Sequence, residues 1–558
     1  MKEKASIFKK LLSLVTYTNN NEETFSLRNP LVEDTKLPPY IKSKDTINEN
    51  QPIKTDLSSN IKFIENSFYL PTNKGVIIRR FNLGNRYEGF LVYLDGMADS
   101  KLSGEFILKP LFNLNFEDYL SSEDLENKLN NVVEVNRITK ANIPKEIISL
   151  ILNGDTGIFI DGFKNYLFCE TRGFEKRNID KPTIEGSVKG SQEAFTESLL
   201  SNLSLIHRLI KDTDLIAERL VLGDRCTSNC AVIYIRDLAN PTIVEEVKRR
   251  LNNISTDFIL NSGILEQFIE DSPNSIIPTT LSTERPDRAV SHITDGRVAI
   301  ILDNSPFAII VPVTFFTLIR TTEDKAVKWQ YGILLRLIRI FAVTVATLLP
   351  GLYIATTNFH IEMIPTALLI TIAQSRENVP FPTVLEVVFM ELAFELIREA
   401  GIRIPGIIGN TIGIVGALIL GQAAVQANII SPILIIIISF TGLGGFSVPD
   451  FNLSYGLRII RIIFITLGAF FGFFGISLGL VVGLALISNI NSFGVPMLSD
   501  ITLRKKQSSK LLRVPIWKEE FRPKEIQPID ERKEETLSRK WTNKPLGKLT
   551  NKYNKKGR

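Results

Sequence analysis

Cysteine, histidine and tryptophan are scarce: the 558-residue chain has three of each. The cysteines are Cys169, Cys226 and Cys230, an odd and small set that argues against a disulfide framework. Only Thr-Ser-Asn separates Cys226 from Cys230, and no histidine or second cysteine pair lies nearby, so no zinc site is expected. The motifs of nucleotide and hydrolytic chemistry are missing too. There is no Gly-x4-Gly-Lys-Ser/Thr loop, no Gly-x-Gly-x-x-Gly after a strand, no Gly-x-Ser-x-Gly elbow and no His-Glu-x-x-His. Nothing supports ATP-driven transport or hydrolysis, so neither an enzyme nor a cofactor is expected. The N-terminus is basic and then only briefly apolar, too short for a secretory signal, and is expected to stay in the cytosol.

Charge is abundant overall but nearly absent from one region. Residues 331–497 hold only seven Lys/Arg and seven Asp/Glu. Residues 1–330 carry net charge −5, and residues 501–558 carry +11. The fold class that follows is multi-domain: a cytosolic α/β N-terminal region of two subdomains, an α-helical polytopic membrane domain of four to six spans, and a basic disordered tail. The expected parts are a mobile polar arm (1–55), subdomains at 57–175 and 190–325, a membrane domain at 330–497 and a basic cytosolic tail at 501–558. A tail this basic after the last span belongs in the cytosol and is drawn to anionic lipid. Nucleic acid is not expected as a partner, because no folded nucleic-acid motif accompanies the charge.

Along the arm, one short amphipathic helix is expected near Ile7–Val15. Strands are predicted at Gly75–Arg79, at Gly89–Leu94 ending in Asp95-Gly96, and at Gly157–Ile160 ending in Asp161-Gly162. A helix is predicted over Ile143–Leu152 with Pro144 in its first turn. The second subdomain is expected to contain helices near 192–211, 243–252 and 264–270 and a strand over Cys230–Ile235. Arg297–Leu302 and Phe307–Val311 read as a β-hairpin, because the turn Asp303-Asn304-Ser305-Pro306 interrupts the rival span over 298–318. No repeat at solenoid or propeller period is visible.

Spans are predicted at Tyr331–Ile354, Ile404–Ile429 and Pro432–Phe446. Arg336 and Arg339 in the first turns of the first span are expected to snorkel to the cytosolic interface. Gly456–Ile490 exceeds one crossing, and reads either as a long tilted helix or as a hairpin bent near Gly472–Gly475. Between these, Pro380, Phe381 and Pro382 mark a hinge or re-entrant joint before an acidic helix at Thr383–Arg398. Carboxylates facing lipid are costly, so that helix should face protein or water. At helical spacing Glu391, Glu395, Arg398 and Glu399 share one arc, and Glu386 falls outside it. The arc fits a cation-favouring water path, and it fits equally a packing seam in which Arg398 pairs Glu391 and Glu395. The glycines at 409, 413, 416 and 421 read as close helix-packing positions.

Several longer runs carry a family resemblance. They are Ser262-Gly263-Ile-Leu-Glu266-Gln267-Phe-Ile-Glu270-Asp271-Ser272-Pro273, then Thr283-Glu284-Arg285-Pro286-Asp287-Arg288, then Gly296-Arg297 and Ser305-Pro306-Phe307. Further on stand Pro350-Gly351, Phe359-His360, Val379-Pro380-Phe381-Pro382, Glu395-Leu-Ile-Arg398-Glu399-Ala400-Gly401, Gly421-Gln422 and Ser492-Phe493-Gly494-Val-Pro496. Over residues 60–500 the chain resembles the GerA family of spore-germination receptors, A-subunit type. It departs at Lys189-Gly190-Ser191-Gln192, where the family often shows an Arg-Gly-Pro-Arg-like run.

The resemblance implies a multi-pass protein of the endospore inner membrane with both termini cytosolic. It also implies a transporter-like B subunit and a lipoprotein C subunit as partners, and assembly as an oligomeric ion channel opened by germinant. On that reading Glu386, Glu391, Glu395, Arg398 and Glu399 are the candidate pore or gating residues. Glu284, Arg285, Pro286, Asp287 and Arg288 then form a family motif in the cytosolic domain, read as a salt-bridged turn. The alternatives are a non-conducting scaffold or accessory paralogue of the same family and, with less support, a secondary transporter, which would need a second matching half.

Overall fold

The structure is a computed structural model that describes residues 25, 27, 52–83, 87–114, 122–163, 165–173, 182, 185–186, 189–403, 421–502 and 513–533. The expected helix at Ile7–Val15, most of the arm, and residues 404–420 with Gly409, Gly413 and Gly416 lie outside them.

Helix α1 (Leu57–Ser67) starts on the Asp56 cap and leads into the antiparallel pair β1 (Val76–Leu83) and β2 (Tyr87–Leu94). After α2 (Ser122–Val132) come β3 (Ile138–Ala141), α3 (Pro144–Leu152), β4 (Thr156–Ile160) and β5 (Tyr166–Cys169). The five strands form one antiparallel sheet in the order β1-β2-β4-β5-β3. The chain then builds α4 (Leu199–Leu209), β6 (Leu215–Leu222), β7 (Ser228–Ile235), α5 (Pro241–Asn252), α6 (Ser262–Ile269), β8 (Leu281–Thr283), α7 (Pro286–Ile293), β9 (Val298–Leu302) and β10 (Ala308–Val311). The second sheet has the order β6-β7-β9-β10-β8, again antiparallel. The hairpin at 298–311 is therefore a pair of sheet strands, not a span.

The two sheets share one strand order, and a sequence register of 142 relates them. Pro144 and Pro286 open α3 and α7, and Asp161 and Asp303 follow β4 and β9. Gly154 (φ +92°) and Gly296 (φ +96°) end those helices in the left-handed region, where glycine meets no Cβ penalty. Residues 143–169 thus align with 285–311 without a gap, an internal duplication that the search for short-period repeats could not see. Helix α4 begins at 199 rather than 192 because Ser198 caps it and the preceding backbone is held elsewhere: Phe195 N–H donates to Glu284 O (2.7 Å) and Thr196 N–H to Asn202 Oδ1 (2.7 Å).

Every residue of β9 and β10 is buried, as expected of strands covered on both faces. One face packs on α5 and α6 together with Phe493, Val495 and Ile526. The other packs on α4 and α7 together with Val448, Leu453, Leu457 and Met497. The second sheet is therefore closed partly by residues from the helical region and from the C-terminal segment. That segment overturns the expectation of a disordered tail for residues 513–533. Ile526 is 1% exposed, Ile529 N–H donates to Leu238 O (3.0 Å), and Arg513 donates to Val327 O (2.7 Å). Apolar residues at 514, 526 and 529 give this stretch something to bury despite its charge.

The helical region consists of α8 (Trp329–Phe359), α9 (Thr366–Arg376), α10 (Thr383–Arg403), α11 (Pro432–Phe446) and α12 (Phe451–Asn489). A straight 39-residue helix would run about 58 Å. Instead Gly472 takes φ +60°, ψ −141° and α12 doubles back. A Cβ on Gly479 would lie 2.6 Å from Leu467 Cδ1 and 3.0 Å from Phe464 Cε1. Both ends of α12 return to the second sheet: Asn452 donates to Glu266 (3.1 Å) and Phe493 N–H to Asp271 Oδ2 (2.6 Å). Of the two readings of 456–490, the hairpin is the one observed. Helix α8 crosses this hairpin at glycine, where a Cβ on Gly468 would be 2.6 Å from Gly351 O. Such contact brings backbones together without a side chain between them.

Candidate functional site

The sequence motif at 284–288 sits where β8 hands over to α7, with Pro286 in the first helical turn. Arg285 donates twice to Asp287, from Nε (3.0 Å) and Nη2 (2.8 Å), and reaches Glu185 O and Ser191 O. The Asp287 hydrogen bond holds the Arg285 pKa above its usual value. Arg288 pairs with Glu185 (2.8 Å) and donates to Arg320 O (3.2 Å). The Glu284 carboxylate accepts from Glu185 N–H (2.7 Å). The motif is a salt-bridged turn that clamps the segment around 185–195.

In the helices, each acid of the predicted stripe for which a bond can be named meets an arginine. Glu391 pairs with Arg461 (3.0 Å), both nearly buried. Glu395 is shared by Arg398, three residues on, and Arg458 (3.2 Å). Arg398 therefore pairs Glu395 but not Glu391, whose partner comes from α12. Glu386, outside the stripe, faces Arg376 (3.4 Å) and accepts from Ser431 N–H (3.1 Å). Pro380, Phe381 and Pro382 lie in the connection between α9 and α10, which Arg376 and Glu386 tie together. Glu399 follows Arg398 on the same arc, toward the C-terminal end of α10. Arg336 and Arg339 do not reach for a membrane interface. They hold Asp324, fully buried before α8, at 3.3 and 2.8 Å.

Two sets of residues far apart in sequence meet at one place. A cavity of about 400 Å³ is lined by Arg285, Arg288 and Glu323 from the sheet side and by Arg398, Arg458 and Tyr455 from the helices. Beside it, the backbone of Ile276 rests on Gly456 of α12, with no room for a Cβ. Buried Glu266, its pKa raised by burial, bonds Ser282 in β8 and Asn452 in the first turn of α12. Strand β8 and the loop before it are thus joined to the first turns of α12 by hydrogen bonds through Glu266 and by backbone contact at Ile276.

Sequence reasoning did not single out Arg458, Arg461 or Asp324. The available signal was isolated arginines inside an apolar run, which require anionic partners. Helix α10 carries four acids and two arginines, and the two arginines of α12, three apart, are the only charged residues in that helix. No cluster fit to hold a metal occurs among the described residues.

The family profile described as Bacillus/Clostridium GerA spore germination protein matches residues 62–525. The chain belongs to the GerA family. Spore germination protein KA of Bacillus subtilis is 36% identical over 505 residues, covering 88% of this chain and 92% of that protein. The uncharacterized membrane protein YfkQ of the same organism is 34% identical, covering 85% and 92%. The crystal structure of the N-terminal domain of the A subunit of the Bacillus megaterium spore germinant receptor GerK3 is similar at 30% identity. It covers 48% of this chain and 98% of that one, with a TM-score of 0.38. In this GerA chain the match runs through both sheets, the helices and the returning segment up to residue 525. Two of its helices, Trp329–Phe359 and Phe451–Asn489, are long and apolar enough to cross a membrane.

Proposed function

We propose that the chain is the A subunit of a nutrient germinant receptor in the endospore inner membrane, acting with a transporter-like B subunit and a lipoprotein C subunit. The observation that carries this reading is the junction. The Glu284–Arg288 turn and the arginines of α10 and α12 face one cavity, so a change in the cytosolic sheets acts directly on the ion-paired helices.

The path of the chain supports cytosolic termini. Helix α8 leaves the sheets at Asp324 and ends at Phe359, beside the bend at Gly472. Helix α10 starts at that far end and returns to Arg398 at the junction. The chain is far again at Ser431, beside Glu386, and near again at Phe446. The two arms of α12 go and come back. An even number of crossings leaves residues before α8 and after α12 on one side, with the basic tail there.

Ion conduction is the second part of the proposal: copies of the chain line a path along α10. That helix exposes Leu385, Phe389, Leu392 and Leu396 beside the partly exposed Glu395. One observation favours the non-conducting alternative: Glu386, Glu391 and Glu395 all have arginine partners within one chain.

Potassium release from spores after nutrient addition separates the two. The chain would be produced with its B and C partners, wild type beside Glu391→Gln, Glu395→Gln and Glu391→Gln/Arg461→Gln, at matched receptor levels. A conducting or gating helix gives slowed or constitutive release in the single variants, not repaired in the double variant. Unchanged release with the receptor assembled, or loss of assembly restored in the double variant, makes α10 a packing helix and the subunit a scaffold.

A further inference from the structure

Arg297 enters β9 with 3% of its surface exposed. Its Nη1 donates to His292 Nδ1 (3.0 Å) and its Nη2 to Thr317 Oγ1 (3.1 Å), while Nε has no partner. Close by, Lys325 Nζ reaches only Ser291 Oγ (3.2 Å). Neither cation makes a salt bridge among the described residues. A guanidinium cannot shed its proton to escape burial, so an unanswered one in the interior is costly. The internal duplication sharpens the contrast. Asp155 stands where Arg297 does in the 142-residue register, equally buried, and its carboxylate is held at both oxygens by Arg172 (2.7 and 2.9 Å). The first copy answers its buried charge with a two-pronged ion pair; in the second, Glu525, Asp295 and Asp500 act on Arg297 without a salt bridge to it.

Arg297 and Lys325 line a second cavity, of about 150 Å³, closed by the returning segment 514–533 and by Arg336 near the start of α8. Seven Lys or Arg side chains line it; Arg288, Arg336 and Arg522 are paired with Glu185, Asp324 and Asp530, which leaves Arg297 and Lys325 as lining cations that make no salt bridge among the described residues. Asp295 is already matched by Lys533 (2.7 Å). The volume is sufficient for one tetrahedral oxyanion with its residual hydration. Donors converge from β9, from Lys325 and from the returning segment, so the ligand must accept hydrogen bonds on several sides.

We propose that this cavity binds a phosphate-class oxyanion, joining β9, the root of α8 and the C-terminal segment through a single charge. The source is either free phosphate or the phosphomonoester head of a lipid, since α8 contributes to the wall. This site is separate from the junction cavity and does not depend on ion conduction.

The test uses the full chain in phosphatidylcholine nanodiscs. Thermal unfolding is followed while inorganic phosphate, or dihexanoyl phosphatidic acid below its micelle concentration, is titrated against chloride of equal ionic strength. The expected result is a saturable rise in melting temperature with at least one of the two probes, and the responding probe identifies the source. In Lys325→Met the apparent affinity falls about tenfold. A wild-type protein that responds to both probes no more than to chloride overturns the proposal. So does a Lys325→Met protein that titrates like wild type.

Discussion

At the scale of residues, the α/β half buries titratable groups whose state the fold fixes. His207 in α4 is 4% exposed, and burial, aided by Arg219, lowers its pKa to about 4. The unfolded chain protonates this histidine near its usual pKa of about 6.5 and the folded chain refuses the proton until much lower pH. The folded state therefore loses stability through His207 as pH falls below that value. Glu270, pushed up to about 7 by burial, acts in the opposite sense, so the comparison has to isolate one residue. Measured as unfolding free energy, the gap between wild type and His207→Gln narrows by about 1.4 kcal/mol between pH 7.5 and 5.5. A gap that stays constant means that folding does not shift the His207 pKa. The arginine partners of Glu391 and Glu395 carry a related lesson. The cost of a lone charge in an apolar helix was readable from the sequence, but which arginine answers which acid depends on how α12 lies against α10.

At the scale of elements, the hairpin of α12 turns on one backbone conformation. With Cys226 replaced by serine and cysteines at Phe464→Cys and Gly479→Cys, a short bismaleimide links the two arms. In a straight helix these positions would be about 22 Å apart and would not link. Gly472→Ala, which places a Cβ on a φ of +60°, lowers the yield of the linked form. The bend was legible only as one of two options, because a glycine-rich apolar run permits a turn without requiring one. Six of the ten sheet strands, the 297–311 hairpin among them, were legible from period and turn chemistry, with errors of a few residues at their ends; β3, β5, β6 and β8 were not predicted. The shared strand order of the two sheets was not, since only a handful of the 27 aligned positions are identical. The relation rests on matched prolines, glycines and aspartates at helix and strand ends. The coming together of the Glu284–Arg288 turn and Arg398 was likewise illegible, because tertiary packing alone brings residues a hundred positions apart to one cavity.

At the scale of the whole molecule, the α/β half and the helices share cores. Phe493, Val495 and Ile526 fill one face of the second sheet, and Leu453, Leu457 and Met497 fill the other. Ile526→Ala removes a side chain buried far from its sequence neighbours, at a cost of about 2–5 kcal/mol. Hydrogen exchange locates the effect: amides of β7 and β9 exchange faster, while those in the middle of α8 keep their protection. Equal rates in wild type and variant would show that the returning segment only rests on the sheet.

This sharing also sets an order in time. The ribosome delivers β6 to β10 long before residues 493–526 exist. Both faces of that sheet therefore stay open at the places reserved for them while the helices are being made. A stretch synthesised about two hundred residues later seals the earlier domain. A chain whose α12 fails to double back cannot present Phe493 and Ile526 to the waiting sheet. It is left with exposed apolar surface of the kind chaperones and proteases recognise. Correct folding of the helices is in this way reported by whether the domain made first is ever closed.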